Sequence, residues 1–284
     1  MKENIFGGVI AKLPVPMERD GGLDLFALMR ILEKICSSGV SAALLYGRER
    51  AYLKPKERRA LIGAAAEYSS ARASIYCTVD PAEGERAIEE AEYAGDAGAN
   101  GVILAPCPPG TPGLCSFIRA LGERVPLPIC VVKPAGRRTV PLYAELCDLE
   151  SVLAVALTSY DPSEGILLCR AFGARGRSVA GAPRLIAASD PPFLSTPDLY
   201  DGFLSALPAV FPRELQTALK KEGVGRAEAL SSFLEKCDLF SGDEGEANQK
   251  WALHRQGLCL PTLRLPLREP DAQTCAAISR AVGC

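Results

Sequence analysis

The sequence is nearly without histidine, because His254 is the single one in 284 residues. Zinc sites built from cysteine and histidine need several such ligands close together. The eleven cysteines are scattered, with no CxxC pair, so the pattern indicates neither a zinc site nor a small disulfide scaffold. We predict no bound metal, and we interpret the cysteines as reduced thiols that pack mostly as small apolar side chains.

The sequence also lacks an excess of charge of either sign, since its net charge is −2. No basic stripe is present that would follow a phosphate backbone, so we expect no nucleic-acid partner. No apolar run reaches the length of a membrane-spanning helix, and residues 1–8 lack the apolar segment of a secretion signal. We therefore expect no membrane partner and a cytoplasmic protein.

Short apolar runs rich in β-branched residues alternate with longer segments of helical period, which is typical of βα units and a parallel sheet. Eight such strands are predicted before about residue 206, and this favours a closed (β/α)₈ barrel, because closure removes the edge strands. The predicted strands are Gly7–Leu13, Ala42–Leu45, Ser74–Val79, Gly101–Ala105, Ile129–Lys133, Val152–Leu157, Ser178–Ala180 and Gly202–Ala206.

From Pro212 onward the pattern is helical only, with helices predicted over Pro212–Glu222, Arg226–Cys237 and Glu246–Gln256. No long polar linker precedes this part. We therefore predict a barrel over residues 1–211 and a C-terminal helical extension of the same domain over residues 212–284. Three prolines interrupt the stretch 183–201, where we expect a distorted seventh helix.

Several short sequence segments occur in the same order as the motifs of a known protein family. They are Leu13–Met17 followed by Asp20–Asp24, then Ser38–Val40, Leu53–Arg58, Ala97–Gly101, Gly202–Ser205 followed by Pro208, and finally Leu258 with the segment Arg264–Pro266. Over about residues 8–267 the chain thus resembles the dihydrodipicolinate synthase/N-acetylneuraminate lyase family. The resemblance implies a (β/α)₈ TIM barrel, carbon–carbon lyase (aldolase) chemistry on a 2-keto acid such as pyruvate, no cofactor, and a homodimer or homotetramer.

The positions that the resemblance marks as catalytic differ from the family pattern. In the family, a strand-six lysine forms a Schiff base with the keto acid, and the matching position here is Leu157. The strand-five tyrosine that relays protons matches Val132, and the Gly-Thr-Thr-Gly-Glu loop is replaced by Tyr46–Arg50. What remains of the pattern is Arg137. Whether the chain is an enzyme therefore stays open.

Lysine occurs on only two predicted strands, at Lys12 and Lys133. Lys133 lies at the expected C-terminal end of strand five, where barrels of this type place their active groups. It is a candidate imine-forming lysine one strand away from the usual place. The alternative is that Lys133 caps the mouth of the barrel in a salt bridge.

Charged residues after strands two and five are candidates for binding an anion. Arg48 and Glu49 follow strand two, and Arg137 and Arg138 follow strand five. A guanidinium offers a planar fork that matches carboxylate or phosphate. The alternative is surface pairing between arginine and glutamate. Tyr160, just past strand six, is a further candidate for lining the pocket.

The leading hypothesis is a divergent family member, a pseudoenzyme candidate, that has lost Schiff-base aldol chemistry and binds a small anionic, 2-keto acid-like molecule. The alternative is an altered class I aldolase or lyase that uses Lys133 as its imine lysine. A third possibility is a barrel enzyme that acts on a different anionic substrate without imine chemistry.

Overall fold

The computed structural model describes residues 5–70, 72–107, 113–174 and 183–283, without the side chains of Arg48 and Ala174. Within these residues, eight strands close into one barrel in chain order. The strands are β1 Gly8–Leu13, β2 Ala42–Leu45, β3 Ser74–Val79, β4 Gly101–Leu104, β5 Ile129–Lys133, β6 Val152–Leu157, β7 Arg184–Ala187 and β8 Gly202–Ser205. The prediction of a (β/α)₈ barrel is confirmed.

Seven of the predicted strands agree with the observed ones to within one residue at each end. The exception is strand seven. Its predicted span, Ser178–Ala180, lies outside the described residues, and β7 instead follows Pro183. This four-residue apolar run was assigned to a proline-interrupted helical region, because its length alone does not separate a buried strand from helix.

A helix follows each strand of the barrel part. These helices are α1 Leu25–Ser37, α2 Pro55–Ser69, α3 Glu85–Asp96, α4 Leu114–Arg124, α5 Val140–Leu146, α6 Ser163–Ala174, α7 Asp190–Ser195 and α8 Leu207–Val210. Asp24 caps α1 by accepting the N–H of Ala27, and the apolar stripe of α1, which includes Leu28 and Ile31, is buried. The seventh helix is short, as three nearby prolines predict.

The C-terminal part contains helices α9 Pro212–Leu219, α10 Gly223–Ser231, α11 Leu234–Phe240, α12 Gly245–Arg255 and α13 Ala272–Val282. The single helix predicted over Arg226–Cys237 is wrong, because a turn interrupts the helix between α10 and α11. At that turn Phe233 is buried and packs edge-on against Phe211. Helix α13 was not predicted. Asp271 caps it by accepting the N–H of Thr274.

The chain divides into two compact units, which we call the first and second unit. The first comprises Met1–Ile10 and Tyr76–Leu204, and the second comprises Ala11–Ile75 and Ser205–Cys284. The division into a barrel over 1–211 and an extension over 212–284 stays a prediction. In the described part of the chain, no helix is long and apolar enough to cross a membrane.

Candidate functional site

Lys133 ends strand β5 in the first unit, and its side chain is fully buried. The ammonium donates to the carboxylate Oε2 of Glu164 at 2.5 Å, to the carbonyl of Gly136 at 2.9 Å and to the carbonyl of Pro134 at 3.1 Å. An ammonium has three donors. All three donors of Lys133 are therefore in use, and the salt bridge foreseen as the alternative role is present.

Glu164, in the first turn of α6, is the acidic partner in this network. Its second oxygen, Oε1, accepts from the hydroxyl of Ser159 at 2.8 Å and from the backbone N–H of Gly136 at 2.9 Å. Burial acts to raise the pKa of the Glu164 carboxyl, but the hydrogen bonds from Lys133, Ser159 and Gly136 outweigh it, and the pKa is lowered. Glu164 is thus held as a carboxylate with both oxygens occupied.

The faces of the sheet on which the side chains of β5 and β6 lie show the direction of the Lys133 side chain. Lys133 pairs in register with Leu157, whose Cδ1 lies 3.5 Å from where Gly165 of α6 would carry a Cβ. Leu157 therefore faces the helix layer, as Lys133 does through Glu164. Because side chains alternate along a strand, the neighbouring register pair, Val132 and Ala156, faces the barrel interior.

This geometry corrects one detail of the sequence comparison. Leu157 was matched to the strand-six lysine, but the interior-facing residue near the end of β6 is Ala156. A shift of one residue along a strand moves a side chain to the other face. Neither residue is a lysine, and β6 contains none. The last interior positions of β5 and β6 thus carry a valine and an alanine, which have no ionisable group.

Arg137 follows β5 in a short 3₁₀ turn and is exposed. Its Nη2 donates to Asp161 Oδ2 at 2.8 Å and to the hydroxyl of Ser163 at 2.7 Å. Hydrogen bonds from Ser163 and Arg137 lower the pKa of the Asp161 carboxyl to about 2. The charge of Arg137 is therefore already matched within the first unit.

Arg138 and Tyr160 differ from Arg137 in having no such partner. Both side chains are exposed, Tyr160 by 68%. Neither makes a hydrogen bond or an ion pair with any residue that the structure describes. Of the predicted ligand-binding residues whose side chains are described, these two have polar groups that remain available.

Glu49 lies in the second unit, in the 3₁₀ turn Arg48–Tyr52, and is 1% exposed. Surface pairing with arginine would require an exposed carboxylate, whereas Glu49 is buried. Its Oε1 accepts from Lys250 Nζ at 2.7 Å, and its Oε2 from the N–H of Val15 at 2.6 Å. Burial raises the pKa of the Glu49 carboxyl, and Lys250 and Val15 only partly oppose that rise.

Sequence reasoning missed two residues that contact Glu49, namely Lys250 and Glu246. Lys250 is fully buried and also donates to the carbonyl of Thr262 at 3.0 Å. Glu246 accepts the N–H of Glu49 at 2.9 Å through Oε2 and pairs with Lys12 at 3.0 Å through Oε1. Glu246 and Lys250 are four residues apart and share one face of α12. That spacing is visible in the sequence, but glutamate–lysine pairs four residues apart usually lie on solvated helix faces.

A groove of about 720 Å³ also lies in the second unit, beside α1, α9 and the end of α12. None of the predicted site residues lines it. Lys34 does, and burial lowers its pKa to about 8. The Lys34 ammonium nevertheless donates to the carbonyls of Ala209 and Val210 and to Gln256, so none of its donors is free for a ligand.

Eight strands closed in chain order, with a helix after each, define a (β/α)₈ barrel. The sequence profile of the dihydrodipicolinate synthetase family matches residues 5–160, and the chain belongs to this family. A 4-hydroxy-tetrahydrodipicolinate synthase of Gluconobacter oxydans is 23% identical, with 98% of this chain and 96% of that protein covered.

Solved structures show the same fold. Dihydrodipicolinate synthase from Aquifex aeolicus superposes with a TM-score of 0.86 at 20% identity, covering 98% of this chain and 97% of that one. YagE of Escherichia coli K12, a prophage protein of the dihydrodipicolinic acid synthase family solved in complex with pyruvate, gives a TM-score of 0.85 at 18% identity. In that comparison 98% of each chain is covered.

Proposed function

We propose that this chain is a divergent member of the family that has lost Schiff-base chemistry at strand six and binds a small anionic molecule of the 2-keto acid class. The interior faces of β5 and β6 carry this proposal, because they end in Val132 and Ala156. An imine requires an amine, and an acid–base relay requires an ionisable group. Neither side chain supplies one.

The geometry around Lys133 argues against that residue as a substitute imine lysine. Imine formation needs a neutral amine that can reach a carbonyl carbon. The Lys133 nitrogen is fully buried, faces α6 and is surrounded by three acceptors, one of them the charged Glu164. These three contacts occupy all the donors of the nitrogen, so it is not placed to attack a carbonyl carbon.

Arg138 and Tyr160 support the anion-binding part of the proposal. An exposed guanidinium without an internal partner can form a bidentate contact with a carboxylate, and a phenol hydroxyl can donate beside it. Arg137, already matched by Asp161, would add positive potential rather than a free donor. The E. coli relative was solved with pyruvate, so pyruvate is the first ligand to test.

Borohydride reduction with pyruvate, followed by intact-mass measurement, tests the loss of imine chemistry. We expect no added mass on this chain, whereas a family member with the strand-six lysine should be trapped under the same conditions. A stable adduct at Lys133 would contradict the proposal and restore the aldolase alternative.

Calorimetric titration with pyruvate and related 2-keto acids tests the binding part. Arg138→Gln should weaken binding about tenfold, the value expected for losing a charged hydrogen bond. Arg170→Gln is the matched control, because Arg170 is also exposed and unpaired among the described residues but lies in the last turns of α6. Equal weakening in both variants would speak against a role for Arg138.

We also propose a homodimer or homotetramer, as the family resemblance implies, and an extension over 212–284 that folds with the barrel. Light scattering after gel filtration measures the assembly, and a monomer at all concentrations would contradict it. A single cooperative unfolding transition is expected if the barrel and the extension form one domain.

A further inference from the structure

Lys12 is the second strand lysine, and its surroundings differ from those of Lys133. It is the fifth residue of the six in β1, near the strand's C-terminal end, where (β/α)₈ barrels carry their chemistry. Its side chain is 31% exposed. Among the described residues its nitrogen has one polar partner, Glu246, at 3.0 Å. Two of its three ammonium donors therefore remain available.

Gly47, two residues past the end of β2, provides the space that this lysine occupies. A Cβ at this position would collide with the Cε of Lys12 and with the Oε1 of Glu246. Any other residue at 47 would thus force the tips of both side chains to move. This close approach gives a steric reason for a residue without a side chain at position 47.

The carboxylate that holds Lys12 is itself fixed. Glu246 is 5% exposed, and its second oxygen accepts the N–H of Glu49 at 2.9 Å. Glu49 in turn pairs with the buried Lys250 at 2.7 Å. These four side chains carry two positive and two negative charges, so the cluster is neutral. An incoming carboxylate meets no net negative charge, and it finds the Lys12 ammonium already oriented.

We infer that Lys12 binds the carboxylate of a small ligand through its two remaining N–H donors, without a covalent bond. The ligand class is a small monocarboxylate, such as a 2-keto acid. This inference deepens the proposed function and rests on its statement that the ligand is a small anion.

Titration of the full-length protein with pyruvate, and with methyl pyruvate as the uncharged counterpart, tests the inference. Lys12→Met should lower the affinity for pyruvate about tenfold or more, as expected for losing a charge-assisted hydrogen bond. Lys12→Arg, which keeps the charge, should retain more of the affinity than Lys12→Met. Gly47→Ala should weaken binding by displacing the amine, and Lys220→Met, at an exposed helix end, should leave it unchanged.

Because Lys12→Met removes one partner of the buried Glu246 carboxylate and can disturb the cluster, a measurement on the unsubstituted protein is needed as well. Acetic anhydride should acetylate Lys12 faster than the buried Lys133 and Lys250, and saturating pyruvate should slow the reaction at Lys12 alone. Acetylation that pyruvate does not slow would overturn the inference. So would a borohydride-stable adduct on Lys12, which would make the contact covalent.

The outcomes separate this inference from the proposed function. If pyruvate binds, and binding is weakened in Arg138→Gln but unchanged in Lys12→Met and Gly47→Ala, the role of Lys12 is overturned and the proposed function stands. If neither pyruvate nor any other 2-keto acid binds to the unsubstituted protein, both fall.

Discussion

Among the residues that the structure describes, each of the two compact units buries one lysine–glutamate pair, and the two pairs are built differently. Lys133 and Glu164 belong to the first unit, and Lys250 and Glu49 to the second. All four side chains are at most 5% exposed. Burying such charges is costly unless they are paired and hydrogen-bonded. Both pairs meet the first requirement, but they meet the second to different degrees.

The two carboxylates differ in the depth of their burial and in the number of donors that each receives. Glu164 receives three, from Lys133, Ser159 and the N–H of Gly136, and its pKa is lowered. Burial is the largest influence on Glu49, its donors only partly oppose it, the nearby Glu246 adds to it, and its pKa is raised. The direction of each pKa shift thus follows the balance between burial, which raises the pKa of a carboxyl, and its donors, which lower it.

These opposite shifts have opposite consequences for stability as pH changes. The lowered pKa of Glu164 contributes stability that is present above the ordinary value of 4.5 and is lost as pH falls through the folded-state pKa. The raised pKa of Glu49 contributes stability that is present below 4.5 and is lost as pH rises through its folded-state pKa.

Removing the cation of the second pair should have the largest effect. Lys250→Met leaves Glu49 buried with the N–H of Val15 as the remaining donor to its side chain among the described residues, and we expect a loss of about 3–5 kcal/mol in the free energy of unfolding at pH 7. Urea denaturation measures it, and the loss should shrink as the pH falls and Glu49 takes up a proton. The exposed control Lys220→Met should stay within about 0.5 kcal/mol. Equal losses in the two variants would contradict the prediction.

Removing the cation of the first pair should cost less. In Lys133→Met the Glu164 carboxylate keeps the donors of Ser159 and Gly136, so we expect a loss of about 2–3 kcal/mol in the same measurement. The comparison is tested by which of the two variants loses more free energy of unfolding. If Lys133→Met proved more damaging than Lys250→Met, donor number would not explain the contrast.

The smallest effect should come from removing one donor. Ser159→Ala takes one hydrogen bond from Glu164 and should cost about 1 kcal/mol at pH 7. Because the pKa of Glu164 then moves up toward 4.5, the difference from the unsubstituted protein should narrow as the carboxyl is protonated below that pH. Denaturation at pH 7 and at pH 3.5 measures both, with the exposed Ser37→Ala as control. A difference that stays constant with pH would rule out Glu164 as the group involved.

The barrel was predictable from the sequence because alternating apolar runs and helical stripes are local patterns. Strand β7 was not, since Arg184–Ala187 is short and lies in a proline-rich stretch. The face on which each side chain of a strand lies is harder still to predict, because a shift of one residue moves the side chain to the other face. This is why Leu157 was matched where Ala156 faces the interior.

The buried pairs could be predicted only in part. The position of Lys133 at a strand end suggested a salt bridge, but not the partner Glu164, which lies 31 residues away. The burial of Glu49 depends on Lys250, 201 residues further along the chain, and no local pattern carries such information. Arg137 was foreseen as a ligand residue, and its pairing with Asp161 emerged only from the folded loops.

The close approach of Gly47 to Lys12 and Glu246 restricts the order in which such a cluster can arise by mutation. A lysine introduced at position 12 while position 47 still carries a side chain cannot take its present place beside Glu246. The change to glycine at 47 must therefore come first or together with it. Loss of the cluster would follow the opposite order, with Lys12 replaced before Gly47. The reason is that a side chain regained at position 47 would displace Lys12 at once. The two positions should consequently vary together among descendants of this chain.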